Sequence, residues 1–145
     1  MPEITRQTFD MPEETRPFSP PESGQVDLVG GGQIGRGTFM PGWRWALNVK
    51  PIAGTDLCQQ AHTGYVQQGR MTILMEDGYQ VTLDPGDYVS IPPGHDAWVV
   101  GDEPCIIIDW QGFADYAQAA AAADSGAATS GISVQQVPPI TPPAP

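Results

Sequence analysis

The sequence predicts an all-β protein, either a β-sandwich or a β-barrel built from short strands. Between residues 26 and 110, short runs rich in β-branched and aromatic residues recur, and Gly, Pro or Asp interrupts them. No helical pattern separates these runs, so a parallel sheet with crossover helices is not indicated. The length of 145 residues is enough for one domain with a hydrophobic core.

Nine segments fit the pattern of short extended runs. They are VDLV (26–29), IGRGTFM (34–40), WRWALNV (43–49), TGYVQ (63–67), RMTILME (70–76), YQVTL (79–83), DYVSI (87–91), AWVV (97–100) and CIIIDW (105–110). The clearest local signal is Asp77-Gly78, because Asp-Gly between two strand-like runs favours a two-residue hairpin turn. LDPGD predicts a second turn, in which Pro85 presets φ and Gly86 accepts a positive φ.

The segments that flank this region differ from it in composition. Residues 1–25 contain five prolines and few large apolar residues, which predicts an arm. Residues 112–124 are rich in Ala and favour a short helix, and the chain beyond them lacks the apolar periodicity of an ordered segment. The predicted organisation is an arm over 1–25, a β-domain over 26–112, and a short helix followed by a disordered tail over 113–145.

Composition excludes several classes of partner. The net charge is −11, with 17 acidic and 6 scattered basic residues, so neither nucleic acid nor an anionic membrane is an expected partner. The N-terminus lacks the apolar region of a secretory signal, and no apolar run approaches a membrane span, so the expected location is the cytoplasm. Cys58 and Cys105 are too few for a disulfide framework and are expected to be free thiols.

The stretch TDLCQQAH carries the candidate metal ligands. Asp56, Cys58 and His62 are spaced by even numbers, so they share a face if 56–62 is extended. His95 could point toward them from a neighbouring strand. A Cys, His, His set with an added Asp suits zinc, iron or copper and disfavours magnesium and calcium. The alternative is packing, since Cys is often a small buried hydrophobe and an interior His can be a neutral hydrogen-bonding group.

A second candidate constellation is aromatic. Trp43 and Trp45 lie two residues apart and share a face of the predicted strand 43–49. Small-molecule sites are usually lined by such side chains with few polar groups. The candidate pocket residues are Trp43, Trp45, Tyr65, Ala97 and Trp98. The favoured alternative is that these rings fill the core or a dimer interface, because aromatic residues dominate both.

The segment 38–112 resembles a cupin, a small β-barrel of the jelly-roll type. Gly86, five intervening residues and then Pro92-Pro93-Gly94 keep the spacing of the second cupin motif, and Gly69 fits the closing glycine of the first. The chain also resembles a mostly uncharacterised group of small bacterial single-domain cupins, in stretches such as PGWRW, HTGYV and PPGHDAWVVGDEP. The resemblance implies a cupin jelly-roll β-barrel and a homodimer.

The resemblance also implies where the cupin ligands would lie. Counting back from the closing glycine places His62 at the Glu position of the first motif and Cys58 and Asp56 at its two His positions. These side chains would then face the barrel interior. Where the last His ligand is usual, this chain has Ala97, and His95 lies two residues earlier. The usual set of cupin ligands is therefore replaced by other residues that can bind a metal.

Three functional hypotheses follow. The preferred one is a protein that binds a small molecule in the barrel interior, with or without one divalent transition metal, because Ala97 and His62 depart from the standard ligands. The second is a metal-dependent enzyme of dioxygenase or isomerase type, in which Cys58, His62 and His95 bind the metal and Asp56 orients a ligand or acts as base. The third is a structural or interaction protein with a packed barrel.

Overall fold

The computed structural model describes residues 2–117, which form antiparallel β-strands with a few helical turns. The strands are β1 (Glu14–Pro17), β2 (Gly24–Val29), β3 (Ile34–Phe39), β4 (His62–Gln68), β5 (Arg70–Met75), β6 (Gln80–Leu83), β7 (Tyr88–Ile91), β8 (His95–Val100) and β9 (Cys105–Asp109). The helices are α1 (Trp45–Asn48) and α2 (Lys50–Ala53), with 3₁₀ turns at Pro21–Ser23 and Phe113–Asp115. The all-β prediction is confirmed.

Two antiparallel sheets enclose one hydrophobic core. The larger sheet has the order β1-β2-β3-β9-β4-β7, and the smaller has the order β6-β5-β8. Both contribute to the same cluster of buried side chains, with Val26 and Ile107 from the larger sheet and Ile73 and Val99 from the smaller. This arrangement is a jelly-roll barrel whose interior lies between the sheets.

Alternation along the strands decides which side chains enter the core. In β4, His62 and Val66 are buried while Tyr65 is exposed. In β9, Ile107 and Asp109 are buried at every second position. Because side chains of a strand point alternately to opposite faces, the pattern that buries Val66 and Ile107 also points His62 and Asp109 inward.

Eight of the nine predicted segments overlap strands β2 to β9. The hairpin signal at Asp77-Gly78 joins β5 to β6, as predicted, and Gly78 has a φ of 93°. The turn is one residue longer than the predicted pair, since the Met75 N–H donates to the Tyr79 carbonyl at 2.9 Å and three residues lie between them.

The ninth segment, WRWALNV, was predicted as a strand, and that prediction is wrong. The strand pairing of Arg44 is limited to an isolated β-bridge with Trp98, and helix α1 follows at once. Ala46 and Leu47 are strong helix formers. The side-chain oxygen of Asn48 accepts the Arg44 N–H at 2.8 Å, which closes the first turn. Local helix propensity and this hydrogen bond outweigh the β preference of the tryptophans.

Both ends of the described chain contribute to the barrel. Within the predicted arm, β1 pairs with β2, and Phe18 is buried against Phe39 with ring centroids 5.3 Å apart. At the other end, Phe113 and Tyr116 are buried in the same core. Most of the helix predicted over 112–124, and the predicted disordered tail, lie outside the described residues. Among residues 2–117, no helix has the length and apolar character needed to span a membrane.

Candidate metal centre

Three of the predicted metal ligands lie together in the barrel. Ligand atoms of Cys58, His62 and His95 are all within 4.8 Å of one another, and all three residues are buried. His62 begins β4 of the larger sheet, and His95 begins β8 of the smaller sheet. Cys58 precedes β4 and forms an isolated antiparallel bridge with His95. The cluster therefore lies where the two sheets face each other.

Backbone pairing fixes Cys58 beside His95. The Cys58 N–H donates to the His95 carbonyl at 2.8 Å, and the Gly94 N–H donates to the Cys58 carbonyl at 2.7 Å. Residues opposite each other in an antiparallel pair project their side chains to the same face. The thiol and the imidazole are thus held on one side by main-chain hydrogen bonds.

His62 lies between a thiol and a carboxylate. Its Nε2 is 3.7 Å from Cys58 Sγ, and its Nδ1 is 2.6 Å from Asp109 Oδ2. The second carboxylate oxygen of Asp109 accepts the N–H groups of Gln111 at 2.7 Å and Gly112 at 2.8 Å. Asp109 is only 1% exposed, so these three groups supply the hydrogen bonds that a buried carboxylate needs.

The orientation of His95 is set in a similar way. Its Nδ1 lies 2.8 Å from the carbonyl oxygen of Pro92. A carbonyl only accepts, so Nδ1 carries the proton in the neutral ring and the lone pair is on Nε2. In both histidines, Nδ1 is occupied by an oxygen acceptor and Nε2 is the nitrogen left to bind a metal. The two rings meet edge to face, with centroids 5.5 Å apart.

Electrostatics favours charged forms of Cys58 and His62. Burial raises the pKa of the Cys58 thiol, but the positive charge of His95 and hydrogen bonds from both histidines outweigh it and lower the pKa to about 6. Burial lowers the pKa of His62, but the Asp109 carboxylate and the Cys58 thiolate outweigh it and raise the pKa to about 10. The metal-free cluster therefore contains a thiolate beside an imidazolium at neutral pH.

The residues after β9 cover His62. The rings of Phe113 and Tyr116 pack against the imidazole with centroid distances of 5.4 and 5.1 Å. A Cβ added at Gly112 would lie 2.5 Å from His62 Nδ1, so only glycine fits there without displacing the ring. Burial and the negative charges of Cys58, Asp109 and Asp96 hold the pKa of Tyr116 well above its usual range, which keeps the phenol neutral.

The prediction that Asp56 belongs to this cluster is wrong. Its side chain is 99% exposed and pairs with Lys50 Nζ at 3.5 Å. The even-spacing argument required an extended chain over 56–62, but the regular strand begins only at His62. Alternation therefore does not extend back to Asp56.

The predicted pocket residues do not line one site. Trp43 is packed in the core against Phe39, with ring centroids 4.6 Å apart. Tyr65 is exposed on the outer face of β4. Trp98 is partly buried beneath the guanidinium of Arg44, which lies 4.9 Å from its ring. The remaining two, Trp45 and Ala97, are buried core residues. Trp43 and Trp45 therefore fit the alternative hypothesis that these rings fill the core.

Sequence reasoning missed Asp109, Phe113 and Tyr116. A signal for Asp109 was present, because it follows Cys105 and Ile107 at even spacing and so occupies an inward position of a strand. No local signal marked Phe113 or Tyr116. Their carbonyl oxygens accept hydrogen bonds from Nη1 of Arg16, a residue distant in the chain, at 3.3 and 3.0 Å.

Comparison with known proteins gives one family match. Residues 58–111 match the family model described as a cupin domain, and this span contains the whole Cys58, His62 and His95 cluster. No curated protein matches the chain.

Solved structures that the chain matches include two of Drosophila melanogaster CENP-C. The CENP-C cupin domain is 14% identical with a TM-score of 0.45, and the match covers 61% of this chain and 64% of that one. CENP-C bound to CAL1 is 15% identical with a TM-score of 0.44, covering 59% and 68%. The Clostridium difficile EutQ protein is 17% identical with a TM-score of 0.42, covering 65% and 64%. Through the segment 58–111, which lies within the antiparallel barrel, the chain contains a cupin domain.

Proposed function

We propose that this cupin binds one divalent transition metal in the barrel interior, through Cys58 Sγ and the Nε2 atoms of His62 and His95. The observation that carries the proposal is the cluster of three buried ligating groups within 4.8 Å of one another. Burying ionisable groups is costly unless they are paired or bind a metal. Packing alone gives no reason to bring three of them together.

The donor set fits such a metal. Thiolate and imidazole are typical ligands of zinc and also bind iron and copper. Metals bind the thiolate form, which the low pKa of Cys58, about 6, makes available at neutral pH. Two ligands of a tetrahedral zinc lie about 3.6 Å apart at usual bond lengths, and Sγ of Cys58 lies 3.7 Å from Nε2 of His62.

The small-molecule ligand predicted from the sequence remains part of this proposal. Three protein donors leave at least one coordination position on a four-coordinate metal, which water or an oxygen or nitrogen atom of a small molecule can occupy. The homodimer and the cytoplasmic location stay predictions.

Metal content tests the proposal directly. Full-length untagged protein is incubated with zinc, desalted and measured by elemental mass spectrometry. We expect one zinc per chain in the wild type and loss of most of it in Cys58→Ser, His62→Ala and His95→Ala. Cys105→Ser is the matched control, because Cys105 is a buried cysteine outside the cluster, and it should keep its zinc. Circular dichroism of each variant reports whether it is folded.

Two results would overturn the proposal. One is wild-type protein that retains no metal after separate incubations with zinc, iron(II) and copper. The other is a full complement of metal in all three ligand variants, which would mean that the metal binds elsewhere on this acidic surface.

A further inference from the structure

We propose that Asp109 is a positioning residue for the metal centre, holding His62 with Nδ1 protonated and Nε2 directed at the metal position. The inference rests on the proposed function and names a residue outside the three ligands. Metal-binding histidines usually donate the other ring N–H to an oxygen acceptor, which fixes their tautomer and orientation.

The contact between Asp109 and His62 is short and buried. Asp109 Oδ2 lies 2.6 Å from His62 Nδ1. A carboxylate only accepts, so this contact keeps the proton on Nδ1. With Nδ1 bound to Asp109, the ring directs Nε2 at the thiol of Cys58, 3.7 Å away. The ring direction that metal binding requires is therefore present before any metal arrives, and binding requires only the loss of the proton on Nε2.

Asp109 is itself held in place. Its Oδ1 accepts the N–H groups of Gln111 and Gly112 at 2.7 and 2.8 Å, and these groups belong to the turn that follows its own strand. Both carboxylate oxygens accept hydrogen bonds, so rotation of the side chain would break at least one of them. An amide in the same place has only one accepting oxygen, and its NH₂ group would face N–H donors on one side.

The same carboxylate connects His62 to the segment that covers it. The turn held by Oδ1 leads into Phe113 and Tyr116, whose rings pack against the imidazole. Gly112 allows this approach, since a side chain there would collide with His62. Asp109 thus fixes the ring from the side opposite Cys58 and anchors the wall that restricts its movement.

A purely structural role is the competing explanation, and Asp27 provides the matched control. Asp27 is also buried, at 2% exposure. Its Oδ1 accepts hydrogen bonds from Thr15 and Gln25, and its Oδ2 accepts one from Arg36. It lies in β2 and is not part of the Cys58 cluster. Asp27→Asn should therefore destabilise the fold without altering the affinity of the metal centre.

The experiment compares full-length wild type, Asp109→Asn, Asp109→Glu and Asp27→Asn. Zinc affinity is measured by competition with a chromophoric chelator, and the thermal midpoint of each metal-free form is recorded. We expect Asp109→Asn to bind zinc about 10- to 100-fold more weakly. Asp27→Asn should bind like the wild type despite a lower thermal midpoint. Asp109→Glu, which keeps the carboxylate, should recover part of the affinity.

A measurement on the wild type keeps the test independent of variant folding. Nitrogen-15 NMR of the histidine rings in the zinc-bound protein should show His62 with a protonated Nδ1 and zinc on Nε2. Zinc on Nδ1 would overturn the inference, as would Asp109→Asn protein that binds zinc as tightly as the wild type. Failure of the proposed function looks different, since either wild-type protein would bind no metal or the three ligand variants would bind as much metal as the wild type.

Discussion

Cys58 and Cys105 are both buried, yet their surroundings shift their thiol pKa values in opposite directions. Burial and the negative charge of Glu103 raise the pKa of Cys105 to about 12. Burial also acts on Cys58, but the two histidines outweigh it and lower its pKa to about 6. Neighbouring charge, and not burial alone, therefore decides which cysteine can bind a metal at neutral pH.

This contrast predicts a thiolate titration in the metal-free protein. Ultraviolet absorbance near 240 nm, where thiolates absorb, should rise by one thiolate as the pH increases through about 6. Cys58→Ser should remove this step, and Cys105→Ser should retain it. A wild-type protein that shows no thiolate below pH 9 would contradict the charge balance described for the cluster.

At the scale of secondary-structure elements, local strand patterns predicted β4 and β8, and the resemblance to a cupin implied the inward direction of His62. Alternation could not predict where β4 begins, so Asp56 was wrongly placed on the same face as His62. The segment WRWALNV was predicted as a strand because its tryptophans favour β structure. The hydrogen bond from the Arg44 N–H to the Asn48 side chain, which closes the helical turn, was not visible in that pattern. Local pattern thus predicted a β-sandwich or β-barrel, and the resemblance to a cupin specified the jelly roll.

The candidate site was predictable only in part. Cys58, His62 and His95 carry ligand chemistry that can be read residue by residue. The support for His62 comes from Asp109 and from the rings of Phe113 and Tyr116, which approach it from another part of the chain. These contacts form only in the folded chain, and no local pattern in the sequence predicts them.

The hydrogen bonds that Arg16 makes from β1 to the 113–116 turn support a prediction about stability. The Arg16 side chain is 12% exposed and donates to the carbonyls of Phe113 and Tyr116. Lysine is a point charge without the guanidinium fork, so Arg16→Lys should lower the free energy of unfolding by about 1–3 kcal/mol, as expected for a hydrogen-bonded charge partly removed from water. Urea unfolding followed by tryptophan fluorescence measures the change.

Arg70 provides the control for this substitution. It pairs with Asp84, and both side chains are largely exposed, at 53% and 57%. Exposed ion pairs contribute about 0–1 kcal/mol, so Arg70→Lys should leave the urea midpoint nearly unchanged. An equal decrease in the free energy of unfolding in the two variants would show that Arg16 contributes no more to stability than an exposed ion pair.

At the scale of the whole molecule, charge imbalance is the dominant electrostatic feature. A net charge of −11 over 145 residues produces self-repulsion in the folded state. Raising sodium chloride from about 10 to about 200 mM shortens the screening length to below about 10 Å, so the thermal midpoint of the metal-free protein should rise. Near the isoelectric pH, the same addition should have little effect. A midpoint that falls with salt at pH 7 would mean that attractive ion pairs outweigh the repulsion.

The contact of Arg16 with the carbonyls of Phe113 and Tyr116 joins residues 97 and 100 positions apart in the chain. During synthesis, Arg16 emerges from the ribosome long before its acceptors do. Because closing so long a loop gains nothing until its far end is present, the wall over His62 can form only after nearly all of residues 2–117 have been made. A nascent chain that ends at β9 would carry Cys58, His62, His95 and Asp109 but lack Phe113 and Tyr116, so a metal could reach the ligands before the barrel closes over them.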